Sequence, residues 1–182
     1  MKNVLLSLLV FICLTITQAF AYNVKDFSSD KTIINAMQLL QQNGEYDVFQ
    51  NLKRNSIKIK FHNLAYGNVY AVNAYDNYGR RVILINSIYK TAPIEQIACL
   101  IAHESCHVAR KATLEEETTA TSKEASCWTK LKRNGVTYPD TKLTKRLDKI
   151  AGLHIASVQD GNDYIGDKIA SSSFYRSQYG LN

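Results

Sequence analysis

Proline is almost absent from this chain, two in 182 residues, and low-complexity segments and internal repeats are missing as well. Nothing therefore divides the sequence into an array or into units joined by a structureless linker. Cysteine is scarce too. Beyond Cys13 there are only Cys99, Cys106 and Cys127, an odd number that permits at most one internal disulfide among them. No pair stands at finger spacing, which argues against a closed structural zinc site. Cys99 and Cys106 lie two helical turns apart, about 10 Å, too far to bridge. A disulfide would have to join Cys127 to one of them, and a reduced buried thiol serves equally well. Past residue 21 no apolar run approaches the ~20 residues of a membrane span, so no span is expected.

The first 21 residues are different. A charged start, Met1-Lys2-Asn3, precedes the apolar run Val4 to Ile16 and then Ala19-Phe20-Ala21, the pattern of a signal peptide cut before Tyr22. Ile12 stands before Cys13 where a lipidated cysteine needs a small residue, so no lipid anchor is expected. The reading is an exported protein, secreted or periplasmic, with residues 22–182 forming one domain. The net charge of +6 is unevenly spread. Lys123, Lys130, Lys132, Arg133, Lys142, Lys145, Arg146 and Lys149 crowd one stretch against Glu124, Asp140 and Asp148. That stretch reads as the solvated face of two helices, or as a surface for an anionic cell-surface polymer; nothing indicates specific nucleic-acid recognition.

Apolar spacing sets the elements. Ile33, Ile34, Met37, Leu39 and Leu40 predict a helix over 32–43 closed by Gly44, and Val48, Phe49 and Leu52 a short one after it. Ile57-Lys58-Ile59-Lys60-Phe61 alternates as a half-buried strand does. Residues 69–75 and 82–85 add two more strands around the turn residues Asp76-Asn77-Tyr78-Gly79, which together predict a small antiparallel sheet. His62, just past the first strand, reads as a surface or hydrogen-bonded histidine. A helix started by Pro93 should run to about Arg110, and a second should span Thr113 to Arg133, with a capping box between Thr113 and Glu116. Asp140 to Ser157 reads as a further helix, and a last short one falls within 164–179.

The first of the two central helices carries His103-Glu104-Ser105-Cys106-His107, an HExxH motif. Residues four apart share a helix face, so both imidazoles can grip one metal ion while Glu104 reaches its water. Chance alone yields the pattern in roughly one of a few hundred such chains, so context has to support it. A catalytic zinc needs a third protein ligand. Glu117 shares its helix face with Thr121, Glu124, Trp128 and Leu131, and a face with Trp128 and Leu131 should be buried. Inward carboxylates need a metal, a charge or hydrogen bonds. Glu117 is therefore the assigned third ligand, with Glu116 an alternative and Glu124 either an alternative ligand or an acceptor for a ligating histidine. Acids in a first turn are also accounted for by the helix dipole. The motif is not extended by the glycine and histidine of a metzincin, since Arg110 and Thr113 hold those positions.

His103-Glu104-x-x-His107 with Glu117-x-x-Ala120, preceded by Val82-Ile83-Leu84-Ile85-Asn86, resembles the gluzincin metallopeptidases, and in size the minigluzincins. The resemblance covers about residues 82–131. It departs in the short gap of nine residues between His107 and Glu117 and in Thr121, where several relatives carry an acid. It implies a zincin-like α+β fold, zinc on His103, His107 and Glu117, Glu104 as general base, an upstream edge strand for an extended peptide or protein substrate, and peptide-bond hydrolysis by metal-activated water. An oxyanion donor is still needed, and His154, Tyr164, Tyr175 and Arg176 are equal candidates. The alternatives are a zinc hydrolase of non-peptide amides, or a non-catalytic exported protein binding anionic polymers through its basic face.

Overall fold

Asp30 starts the first helix: its carboxylate accepts from Thr32 N and Ile33 N, capping α1 (Lys31–Gln42), whose apolar stripe Ile33, Met37 and Leu40 is buried. Gly44, at φ 76°, then turns the chain in the left-handed region that glycine enters without strain. α2 (Tyr46–Arg54) follows and buries Val48, Phe49 and Leu52. These residues belong to a computed structural model of the chain, which describes residues 22–65, 69–109 and 113–179. The expected signal peptide, residues 1–21, and the turn at 110–112 lie outside the described residues.

Three strands come next: β1 (Lys58–His62), β2 (Ala71–Tyr75) and β3 (Arg81–Asn86). The sheet is mixed, which corrects the antiparallel expectation. β2 and β3 form an antiparallel hairpin with Val72 opposite Leu84, whereas β1 runs parallel to β3 with Ile59 opposite Ile83. The strand order β1-β3-β2 explains the difference. The chain leaving β1 crosses beyond the position β3 will occupy, so β2 lands on the far side and the hairpin returns β3 between the two, parallel to β1. Buried Asn86 anchors that crossing, donating from Nδ2 to Val69 O at 2.9 Å. His62 ends β1 exposed, apart from the other histidines of interest.

α3 (Ile94–Ser105) carries the start of the motif. Pro93 is its N-cap and not, as expected, its first helical residue. Every residue from Glu95 to Ser105 is buried, because the helix packs against α1, the sheet and the helix after it. That next helix, α4 (Leu114–Leu131), is capped by Thr113 Oγ1 on Glu116 N and buries Trp128, whose indole N–H donates to Asp148 at 2.8 Å. α5 (Lys142–Asp160) packs on α4 and ends at Gly161. Two short helices, α6 (Tyr164–Ala170) and α7 (Ser173–Tyr179), stand where a single terminal one was expected. Seven α-helices and one small mixed sheet among the described residues make the fold α+β.

The three cysteines among the described residues are free. Cys127 lies against Cys99, with Sγ–Sγ 3.4 Å inside the α3–α4 interface, while Cys106 turns its thiol to Ala102 O. Burial pushes the Cys99 thiol well up and that of Cys106 to about 11, so both stay protonated at neutral pH. Among the described residues no helix is long and apolar enough to cross a membrane.

Candidate metal centre

α3 ends at Ser105, short of the expected Arg110, and His107 therefore lies just beyond the regular helix. Side chains from the sheet explain the early stop. Asn73 on β2 donates to Glu104 O and His107 O, both at 3.0 Å. Arg81 on β3 donates to His107 O, to Val108 O at 2.6 Å and to Ala109 O at 2.8 Å. These groups satisfy carbonyls that a continuing helix would have used, so the chain can leave the helix without stranding them. The last turn tightens as it does so, with Cys106 N bonded to His103 O and His107 N to Glu104 O.

The motif histidines nevertheless converge. His103 Nε2 and His107 Nε2 are 3.2 Å apart, and the two carboxylate oxygens of Glu117 sit 3.6 Å from them, Oε1 from His103 and Oε2 from His107. Ligands held tetrahedrally at zinc-like bond lengths of about 2.0–2.1 Å would be separated by about 3.3–3.4 Å. The three side chains, all well shielded from solvent, could hold a metal ion. They are supplied by the end of α3 and the first turn of α4, and the inward phase of Glu117 is as the sequence indicated: Glu117 is only 7 % exposed and Glu124 is 0 % exposed on the same face as Trp128 and Leu131.

Glu124 does not join the three. Its Oε2 is 2.9 Å from His103 Nδ1, the nitrogen on the far side of the ring from the cluster, and its other oxygen pairs with Arg146. His103 Nδ1 and Glu124 Oε2 have no other partner among the described residues. Burial alone would raise the Glu124 pKa, but Arg146 and His103 overcome it and hold the carboxyl at about 2. His107 has a comparable outer partner in Glu116, 3.4 Å from its Nδ1. Here the capping box is only half made. Thr113 caps as expected, but the Glu116 carboxylate turns away and accepts from Val108 N at 2.7 Å and Ala109 N at 2.8 Å. Both motif histidines thus have an outer carboxylate that orients the ring and favours the tautomer with Nε2 free to bind.

The cluster faces a cleft of about 420 Å³ between β2, an edge strand of the sheet, and α7. Glu104 lines it, and burial raises its pKa against the lowering pull of His103 and His107. For His103 burial acts downward, yet Glu124, Glu104 and Glu117 outweigh it and the net shift is upward. The four carboxylates Glu104, Glu116, Glu117 and Glu124 outnumber the two guanidinium groups on the cleft wall, Arg81 and Arg146, leaving an excess of negative charge that a divalent cation would offset. Of the four residues considered as oxyanion donors, Tyr175 lines the cleft, donating to Glu117 Oε1 at 2.8 Å; His154, Tyr164 and Arg176 do not line it.

Sequence reasoning did not single out Asn73, Arg81 or Arg146 as parts of the site. Arg146 had been counted in the basic stretch, where six of the eight cations prove to be paired within the chain: Lys123 and Lys130 with Glu45, Lys132 with Asp148, Arg133 with Glu95, Lys145 with Asp140 and Arg146 with Glu124. No periodicity in one sequence could reveal that pairing, because each partner comes from a different turn or element.

Comparison with protein-family models, with curated proteins and with solved structures finds no match for this chain. Its function has to be read from the site itself.

Proposed function

We propose that this protein is an exported, zinc-dependent metallopeptidase of the zincin type, similar in its site to the gluzincins. The observation that carries the reading is the convergence of His103, His107 and Glu117 at separations suited to one tetrahedral ion, with the motif acid Glu104 lining the same cleft. Two imidazoles and one carboxylate with a position left open are the donor set of a catalytic zinc rather than a structural one. Zinc bound there would supply a Lewis acid for a carbonyl and make a water acidic enough to attack near neutral pH.

The chain's own groups supply the rest. Glu104, its pKa raised by burial, is the general base that takes the water proton and returns it to the leaving amine. Glu124 and Glu116 hold the two imidazoles in register, and Arg146 keeps Glu124 ionised. Tyr175, whose hydroxyl donates to Glu117 Oε1, is the donor nearest the cluster and would serve a developing oxyanion by turning from that carboxylate. Val69 and Tyr70, just before β2, and Ala71, Val72, Asn73 and Tyr75 of β2 border the cleft, and an extended peptide can add to such an edge as a further strand. That edge favours a peptide over other amides. The anionic-polymer reading loses support from the pairing of most of the basic stretch.

The test is to measure zinc per chain and peptide hydrolysis in the wild type and in Glu104→Gln. The expected result is about one zinc in each, and turnover lost by about a hundredfold or more in the variant, the scale of general-base removal. A wild type that binds no zinc, or a variant as active as the wild type, would refute the reading.

A further inference from the structure

A smaller cavity, about 190 Å³, lies behind the cleft, with Arg146 and Tyr175 lining both. It is far larger than the ~15 Å³ that admits a single water. Its apolar walls are Ile150, Leu153 and Ile169, contributed by α5 and α6, and Lys149 and Lys168 from the same two helices also line it. Among the described residues no acidic one lines it. Among the described residues neither lysine has an ion pair or side-chain hydrogen bond, whereas Lys123, Lys130, Lys132 and Lys145 each meet a carboxylate. The one guanidinium present, that of Arg146, is already matched to Glu124. A cavity with apolar walls, lined also by two lysines that have no ion pair among the described residues, is complementary to one ligand chemistry: a short aliphatic stem ending in an anion.

We propose that this cavity binds a carboxylate carried on a short aliphatic stem. The stem occupies the space between Ile150, Leu153 and Ile169, and the carboxylate meets Lys149 and Lys168. Because Arg146 and Tyr175 are common walls, the group can belong to a chain lying across the metal-binding cleft. Two sources share the chemistry, an acidic side chain within a peptide and the free carboxylate at a peptide's end. Only this link to a peptide rests on the peptidase reading; the binding of the carboxylate does not.

The experiment uses residues 22–182, the chain without its expected signal peptide, with pentanoate, pentanol and pentylamine as probes, followed by ligand-observed NMR and titration calorimetry. Pentanoate should bind in the millimolar range, the affinity of a ligand of so few atoms, with the alcohol and amine at least about tenfold weaker. Lys149→Ala with Lys168→Ala should lower pentanoate affinity by about tenfold or more, while Lys149→Arg with Lys168→Arg keeps it. Both lysines are exposed, and an unchanged melting temperature would show that the variants fold. Pentanoate that fails to bind, or binds the alanine pair as well as the wild type, overturns the proposal. Hydrolysis of peptide pairs, Glu against Gln and free against amidated C-terminus, then identifies the source by which pair the wild type discriminates and the alanine variant does not. Discrimination retained in full by the alanine pair also counts against the cavity. A protein that turns over no peptide but binds pentanoate through the two lysines would sink the peptidase reading and leave this one standing.

Discussion

Replacing Arg146 by Met should strand the Glu124 carboxylate. Glu124 is wholly buried and has two partners, Arg146 on one oxygen and His103 Nδ1 at 2.9 Å from the other. Breaking a buried pair by removing one member costs about 3–5 kcal/mol. Linkage gives a similar figure. The Glu124 pKa falls from 4.5 to about 2 on folding, which corresponds to about 3 kcal/mol net, the attraction of Arg146 and His103 less the cost of burial. The sign follows from the depressed pKa: this contribution is present in full above the unfolded-state value and is lost as pH falls toward the folded one. The assay is urea unfolding with a chelator present, so that metal binding does not enter. With a slope of about 2 kcal/mol per molar, Arg146→Met should lower the midpoint by about 1.5–2.5 M at pH 7, and the difference should shrink as pH falls below 4.5. Glu124→Gln together with Arg146→Met strands no charge and should recover part of the loss. A midpoint within about 0.3 M of the wild type at pH 7, or a double variant as damaged as the sum of the singles, would refute the reasoning.

Glu116→Ala removes the acceptor for Val108 N and Ala109 N and the outer partner of His107; metal affinity, measured by competition with a chromophoric chelator, should fall about 10- to 100-fold. Glu45, buried between Lys123 and Lys130, has a lowered pKa because the two ammonium groups outweigh its burial. Its contribution therefore holds above pH 4.5 and is lost in acid. Lys123→Met should destabilise the protein at pH 7 and have less effect at pH 3 in the same unfolding assay.

Much of the helical frame was legible because its spacing is unambiguous. Ile33, Met37 and Leu40 fall on one stripe of α1, and Glu117, Thr121, Glu124, Trp128 and Leu131 on one face of α4. A helix face is a local property, and so is the closeness of His103 and His107. The sheet was less legible because five alternating residues in β1 say which side is buried but not which strand lies alongside; the parallel pairing follows from the crossing that Asn86 anchors. The end of α3 was misread for a related reason: nothing in the sequence near His107 announces that Asn73 and Arg81, each more than twenty residues earlier, will take its carbonyl. Glu116 was given to its own helix cap, yet the free N–H groups of the preceding turn compete for it and win. Tyr175 could not be chosen among four candidates until α7 had a position.

The connection between α3 and α4 is gripped from both flanks, by Arg81 from the sheet and by Glu116 from the helix it leads into. The distance from His107 to Glu117 is thus held by side chains whose targets are specific backbone atoms, and a residue gained or lost in that connection would shift those atoms out of reach. The hairpin turn at Asp76, exposed and closed by its own carboxylate on Tyr78 N and Arg80 N, carries no such load. A tag, a protease site or the new termini of a rearranged chain belongs at that hairpin, and descendants of this sequence should vary in length there long before they vary between the second histidine and the glutamate.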